Sequence, residues 1–368
     1  MTNILQNFIQ SSIVVFHNTS ILLFLITYIF LWKYKLLWPL LIYYTIFHYF
    51  RDKSPVNGNV WYKRNESFRN LFIWNYLIDY FPIKFHKLSD LSPTFNNNEN
   101  EQNERIGPNY IFGYHPHGII ATGVSNGFTN NANNNWNKLF PGIKCFVTTL
   151  INQFQIPFYR DYLMALGVTT VVKKNLKILL NKGASIVIVI GGAKEALLAK
   201  PGNNSIILNK RKGFIKLALE SLNESNDNFK FGISIVPVYA FGENNIYNVY
   251  YTGDDDEKNN IGDNKFKKVV YKFQMFLKDK FGWTLPIIVS RGIFNYDFGI
   301  LPYKTPINVV FGNPIHIKRL NNLKFGDPIT QFEIDYWHNQ YIIELENVWE
   351  FGKDKFRKPN ESNLKIVE

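Results

Sequence analysis

The chain carries only one cysteine, Cys145, in 368 residues. A lone thiol closes no internal disulfide, so the fold must rest on its core, and the composition suits a reducing compartment. Cys145 lies in the apolar run 143–147, which marks it as a packing residue rather than a nucleophile. Lys and Arg are absent from residues 1–10. A secretory signal opens on a basic segment, so cleavage is not expected. No Gly-x-Ser-x-Gly nucleophile elbow, a serine on a tight strand-to-helix turn, is expected, so serine-hydrolase chemistry is set aside. Zinc-finger spacing and an RNA-recognition signature are both missing, and no nucleic-acid partner is expected.

What the chain has in excess is aromatic surface and positive charge. Aromatic residues make up 17% of it, with 32 Phe and 21 Tyr, and hydrophobic residues 46%. Such a surface fits a membrane-associated or lipid-handling protein. The formal charge is +12 and the pI about 9.4. On charge alone that excess serves an anionic membrane, nucleic acid or a phosphorylated substrate equally well.

Two apolar runs open the chain. The first, 11–32, is densest from Ile21 to Trp32 and stops at Lys33 and Lys35. The second, 36–50, is broken by Pro39 and closed by Arg51 and Lys53. Spanning a bilayer takes about 20 apolar residues per helix. The expectation is a membrane hairpin over 11–53, two helices or one re-entrant element, after an N-terminal cap over 1–10. Residues 54–108 are expected to form an interfacial aromatic segment with an Asn-rich loop, and 109–368 the folded domain.

From residue 109 apolar strands alternate with helices. Strands are expected at 110–114, 143–148, 168–171, 185–190, 233–238 and 307–311, and helices at 173–181 and 213–223. This alternation predicts an α/β fold with a largely parallel sheet and flanking helices. In such sheets, sites collect beyond the carboxyl ends of strands.

The first expected strand ends at His115-Pro116-His117-Gly118. Pro116 stiffens the backbone and Gly118 admits close approach. Imidazole titrates near neutrality and suits general-base work. A strand corner with two satisfied histidines fits the same residues. No third ligand lies nearby, so no metal is expected.

Gly191-Gly192-Ala193-Lys194-Glu195 follows another strand and matches neither a dinucleotide fingerprint nor a Walker loop. Glu195 could orient a histidine, or simply favour a helix N-terminus. Lys210-Arg211-Lys212-Gly213 precedes a helix and could seat phosphate, or be a solvated basic turn.

Taken in order, these motifs resemble the type-2 diacylglycerol acyltransferases, a family that includes monoacylglycerol and wax-alcohol acyltransferases. The resemblance rests on Tyr80-Phe81-Pro82, His115 to Gly118, Pro157 to Asp161, Gly191 to Ala196, Pro201-Gly202, Arg211 to Phe214, Val236-Pro237, Gly242-Glu243-Asn244 within Phe241 to Asn244, Arg291-Gly292, Leu301 to Tyr303 and Gly312 to Pro314. It implies an acyltransferase-like fold, and an integral membrane enzyme of the endoplasmic reticulum and lipid droplets with a cytosolic catalytic part. It implies fatty acyl-CoA as donor, diacylglycerol as acceptor and membrane lipid as surroundings, with no further cofactor. A homo-oligomer is compatible with it.

The resemblance implies catalysis at the His-Pro-His-Gly motif, at His117 and His115. Related glycerol-phosphate acyltransferases place Asp five positions after their His, but here those positions are Ile120 and Thr122. Glu195 is the expected replacement, holding the His117 ring, while His115 positions the base or donates to the oxyanion. Arg211 and Lys212, with Arg160 as a lesser candidate, are expected on the CoA phosphates. Pro116, Gly118, Gly191, Gly192, Gly213 and Glu243 are motif positions. Rival readings are the same chemistry on monoacylglycerol, a fatty alcohol or a sterol, a non-catalytic lipid-droplet protein, and a metal-dependent hydrolase.

Overall fold

The computed structural model describes residues 2–96, 104–132, 135–251, 287–292, 299, 301–320 and 323–367, with 272 and 276 as isolated positions. Most of the Asn-rich tract 95–105 and part of the tract 126–137 lie outside the described residues.

Its strands are β1 (Ile83–Lys87), β2 (Asn109–His115), β3 (Cys145–Thr149), β4 (Val168–Thr170), β5 (Ser185–Val189), β6 (Ser205–Ile207), β7 (Ile233–Phe241), β8 (Asn248–Tyr251), β9 (Ile287–Val289), β10 (Ile307–Phe311), β11 (Ile315–Ile317) and β12 (Lys365–Val367). The main sheet runs β1-β10-β7-β2-β5-β3-β4, with β11 also on β7. Neighbours are parallel except where β10 and β11 meet β7. β2 and β7 are buried along their whole length. Central strands of a covered parallel sheet read as continuous apolar runs, which is why they stand out in the sequence.

Pro237 sits inside a central strand, where a missing N–H normally costs a ladder bond. Here β10 hands over to β11 opposite it, and the Gly312 N–H donates to the Pro237 carbonyl at 2.9 Å. Val236-Pro237 and Gly312-Asn313-Pro314 are thus two halves of one sheet irregularity.

One sheet face packs an aromatic cluster of Phe112, Phe128, Trp136, Phe140 and Phe311. The other packs the helix Gly213–Glu224 and a 26-residue helix, Gln331–Phe356. That second helix has no counterpart among the sequence expectations. Its signals are a capping box, Thr330 with Glu333, and buried residues Ile334, Trp337, Tyr341, Leu345 and Val348 at helical spacing.

The N-terminal hairpin differs from expectation in detail. Helix α1 covers Thr2–Leu31, so residues 2–10 are its first turns rather than a separate cap. Its segment Ile4–Leu31 is long and apolar enough to cross a membrane. Helix α2 covers Trp38–Ile46 and continues through a wider turn, Phe47–Arg51. Pro39 stands in the first turn of α2, where its missing N–H has no helical partner to lose, so it opens the helix rather than breaking it. At 1.5 Å per residue this arm spans about 21 Å, short of the ~30 Å hydrocarbon core.

Three motifs converge where α1 docks. Arg291 donates from Nε and Nη2 to Tyr80 Oη, at 2.9 and 2.7 Å, and from Nη2 to Ser11 Oγ of α1 at 3.2 Å. Tyr80 in turn donates to the Pro302 carbonyl. Tyr80-Phe81-Pro82, Arg291-Gly292 and Leu301-Pro302-Tyr303 therefore anchor the apolar helix to the domain.

Candidate active site

β2 carries the His-Pro-His-Gly turn to the carboxyl edge of the sheet, where His115 lies level with Tyr239 of β7. His115 is fully buried. Tyr341 donates its hydroxyl to the Gly113 carbonyl at 3.0 Å and lies 3.0 Å from His115 Nε2. That assigns the ring proton to Nε2, donated to Tyr341. Nδ1 is then bare and has no partner among the described residues. Burial pushes the His115 pKa down to about 3, so the ring stays neutral.

His117 is half-buried, and its Nδ1 lies 3.0 Å from the Gly118 carbonyl. A carbonyl only accepts, so Nδ1 carries the proton and Nε2 keeps a free lone pair. Burial lowers this pKa as well, and the Gly118 bond partly opposes it. The strand ends at His115, so the two rings do not share a strand face.

Glu195 departs from expectation. It is buried, but its carboxylate does not touch the His117 ring. Oε1 accepts the His117 backbone N–H at 2.5 Å and Oε2 accepts the Ile207 N–H at 2.7 Å. The short helix Gly192–Ala196 brings the side chain under the loop rather than beside the ring. Gly191 makes room for it, since a Cβ there would lie 2.0 Å from Glu195 Oε2. Burial raises the carboxyl to about 7, opposed by its two N–H donors and by Arg211.

A second buried carboxylate, Glu243, grips the far side of the same loop. Oε1 accepts the Thr122 N–H at 2.6 Å, and Oε2 accepts from the Gly123 N–H and Tyr114 Oη at 2.9 and 2.8 Å. Gly118, at φ +58°, lies so close that a Cβ would meet Glu243 Cγ at 2.7 Å. Its carboxyl too is raised to about 7, by burial. The His-Pro-His-Gly loop is thus held by two glutamates, chiefly through its backbone N–H groups.

Of the expected cations, Arg211 belongs to the site. Its Nη2 donates to the Gly191 carbonyl at 3.2 Å. Lys212 pairs with Asp335 at 2.6 Å, both half-exposed. Gly213 opens the helix Gly213–Glu224, and no atom lies within 4 Å of where its Cβ would be. Gly192, at φ +63°, is equally open. Arg160 belongs elsewhere. It is buried and donates to the His48 and Asp52 carbonyls and to Asp52 Oδ2, which ties the hairpin to the domain and leaves it no reach to a phosphate.

The segment Gly123 to Gly127 does carry Gly-x-Ser-x-Gly spacing, contrary to the expectation of none. It lies within the helix Thr122–Gly127, and the Ser125 hydroxyl donates to the Thr122 carbonyl. It is not a strand-to-helix elbow. Among the described residues no three His, Cys, Asp or Glu side chains are grouped to hold a metal.

The β6 strand that feeds Glu195 is itself held by β12, paired in parallel at Ser205–Ile207. Lys365→Pro removes the Lys365 N–H bond to the Asn204 carbonyl. A lost bond of this kind is worth about 1 kcal/mol. The expected result is a lower kcat with both KM values unchanged; a raised KM with normal kcat would place β12 on the substrate side instead.

The diacylglycerol acyltransferase family model matches residues 28–367. Diacylglycerol O-acyltransferase 1 of Saccharomyces cerevisiae is 40% identical, over 98% of this chain and 86% of its own. Diacylglycerol O-acyltransferase 2 of Dictyostelium discoideum is 40% identical, over 90% and 87%. The 2-acylglycerol O-acyltransferase 1 of Bos taurus is 33% identical, over 97% and 95%.

Proposed function

The chain belongs to the diacylglycerol acyltransferase family, and on that premise we propose that it transfers a fatty acyl group from acyl-CoA to the free hydroxyl of diacylglycerol, giving triacylglycerol and free CoA. The observation that carries the mechanism is the His117 ring. Its Nδ1 proton is committed to Gly118 and its Nε2 lone pair is free, at the carboxyl edge of the sheet.

Nε2 takes the acceptor's hydroxyl proton as that oxygen attacks the thioester carbonyl. The C–O bond forms, the C–S bond breaks, and the proton leaves with the CoA sulfur. No acyl-enzyme is needed. Glu195 and Glu243 fix the loop through its backbone, so the ring is aimed without a carboxylate on it. His115 has only one ring proton, and that goes to Tyr341. It therefore positions the end of β2 and does not serve as the oxyanion donor.

Arg211 is placed to meet CoA phosphate beside the Gly191-Gly192 turn. The Lys212–Asp335 pair is half-exposed, a kind of pair worth only about 0–1 kcal/mol, so phosphate can displace the carboxylate. Arg211→Ala is expected to raise the acyl-CoA KM with little change in kcat; an unchanged KM removes Arg211 from the donor site. The apolar α1 supports a place in the endoplasmic reticulum membrane and on lipid droplets, with the domain in the cytosol.

The bovine 2-acylglycerol relative favours a second reading, the same chemistry on monoacylglycerol. Microsomes from cells lacking their own acyltransferases decide between them. Labelled acyl-CoA is supplied with diacylglycerol, monoacylglycerol, fatty alcohol and sterol in parallel. Labelled triacylglycerol as the main product is the expected outcome; transfer only to another acceptor overturns it.

A further inference from the structure

β3 and β4 end in exposed apolar residues on the same sheet edge as His117. Leu150 and Ile151 follow β3, and Val171 and Val172 follow β4, with relative exposures of 37–45%. The Val171 N–H donates to the Thr149 carbonyl at 2.9 Å. The pairing ends at Thr149–Thr170, so Leu150 and Val171 leave the sheet as neighbours, and Ile151 and Val172 follow them at the start of a turn and of a helix. β5 separates this group from β2, so β3 lies two strand spacings, about 10 Å, and β4 three, about 14 Å, from the strand that carries His115.

Two further observations say what covers it. The patch continues into the hairpin. The turn Ile151–Gln155 receives the Tyr49 hydroxyl on its Gln155 carbonyl, and Tyr49 and Phe50 stand 45% and 74% exposed. Exposed cations border it as well: Arg51 and Lys53 at the end of the hairpin, Lys173 and Lys174 directly after Val172. Apolar residues bordered by long cationic side chains suit a lipid surface, with stems in the acyl region and heads at the phosphates.

We propose that the carboxyl edge of the sheet at β3 and β4 is a bilayer-contact surface, so that the mouth of the catalytic loop opens onto lipid. This rests on the acyltransferase reading for its purpose but not for its test. A diacylglycerol molecule then moves from the bilayer to His117 along apolar side chains, without crossing water. The cations select anionic headgroups and fix the depth at which the edge sits.

Site-directed fluorescence tests it on the full chain in vesicles. Cys145 is buried and burial lifts its thiol to about 12, so it does not compete for label. Bimane is attached to Ile151→Cys and Val172→Cys. Ile26→Cys, on the exposed face of α1, and Lys230→Cys, exposed just before β7 at the amino end of the sheet, serve as references. The vesicles contain phosphatidylcholine spin-labelled along its acyl chain, with and without anionic lipid.

Labels at 151 and 172 are expected to lose most of their fluorescence, as at 26, and more so with anionic lipid, while 230 stays bright. Quenching at 151 and 172 no stronger than at 230 overturns the proposal. So does quenching that requires spin-labelled acyl-CoA, which would make this a donor subsite. Concentration-dependent disulfide linkage between unlabelled Ile151→Cys chains, with bright monomers, would assign the patch to a second copy. The readout needs no turnover. An active protein with bright labels sinks the surface alone, and an inactive protein with quenched labels sinks only the activity.

Discussion

His117→Ala is expected to lose about 10²–10⁴-fold in kcat, the usual worth of a positioned general base. Among the described residues the ring bonds only to local backbone, chiefly the Gly118 carbonyl. Its removal therefore leaves the fold and the membrane association intact. His115→Ala should behave differently. It removes a fully buried ring, breaks the Tyr341 contact and opens space at the end of β2. Thermal stability should fall with the rate, whereas His117→Ala should unfold at the wild-type temperature. A His117→Ala protein that keeps more than about a tenth of the wild-type rate would remove the ring from the base's role, since general-base help is normally far larger than tenfold.

Glu195→Ala has the second largest expected effect. It strands two backbone N–H groups, those of His117 and Ile207, each costing about 1–3 kcal/mol when buried unpaired. The loop loses its aim, so kcat falls while the acyl-CoA KM stays near normal, in contrast to Arg211→Ala. Glu195→Gln keeps the shape but turns an amide N–H towards one of the two donors, and should fall between alanine and wild type.

The pH dependence of Glu195→Gln tests the buried carboxyl itself. The Glu195 carboxyl is raised to about 7 in the folded chain from an ordinary 4.5. Between those values the native state holds a proton that the unfolded chain has lost, so stability falls as pH rises through that window. The Ile207 and His117 N–H groups and Arg211 oppose the rise, and burial outweighs them; the Tyr239 and Tyr341 hydroxyls also face the group. Thermal unfolding of Glu195→Gln should depend less on pH from 4.5 to 7 than that of wild type. An unchanged slope would mean that Glu195 titrates at its ordinary value.

Much of the sheet is legible because its central strands are rich in β-branched and aromatic residues, even with Gly113 in β2 and Pro237 in β7. Strand β10 and the helix Lys173–Asn181 lie where the pattern puts them. The edge strand β1 was not expected. Its residues Lys84, His86 and Lys87 break the apolar run, and only pairing with β10 makes it a strand. The same limit applies to the site. Residue types at His117, Glu195 and Arg211 were readable, but direction was not. Glu195 reaches backbone instead of imidazole because a five-residue helix turns it under the loop. Arg160 has the charge of a phosphate ligand, but Asp52 and two carbonyls surround it, and none of them is near it in sequence. Tyr341 comes from 226 residues away, and no local pattern marks it as the partner of His115. Glu243 is a motif position with no role legible in the sequence, since its partners are two backbone N–H groups and a tyrosine hydroxyl more than a hundred residues away.

The most direct measurement is a structure of the membrane-embedded chain with diacylglycerol and a non-transferable thioether analogue of acyl-CoA. The acceptor oxygen should lie within hydrogen-bond reach of His117 Nε2, about 2.6–3.2 Å, with the CoA phosphates at Arg211. An acceptor oxygen held away from that nitrogen, with His117 facing protein on all sides, would contradict the account.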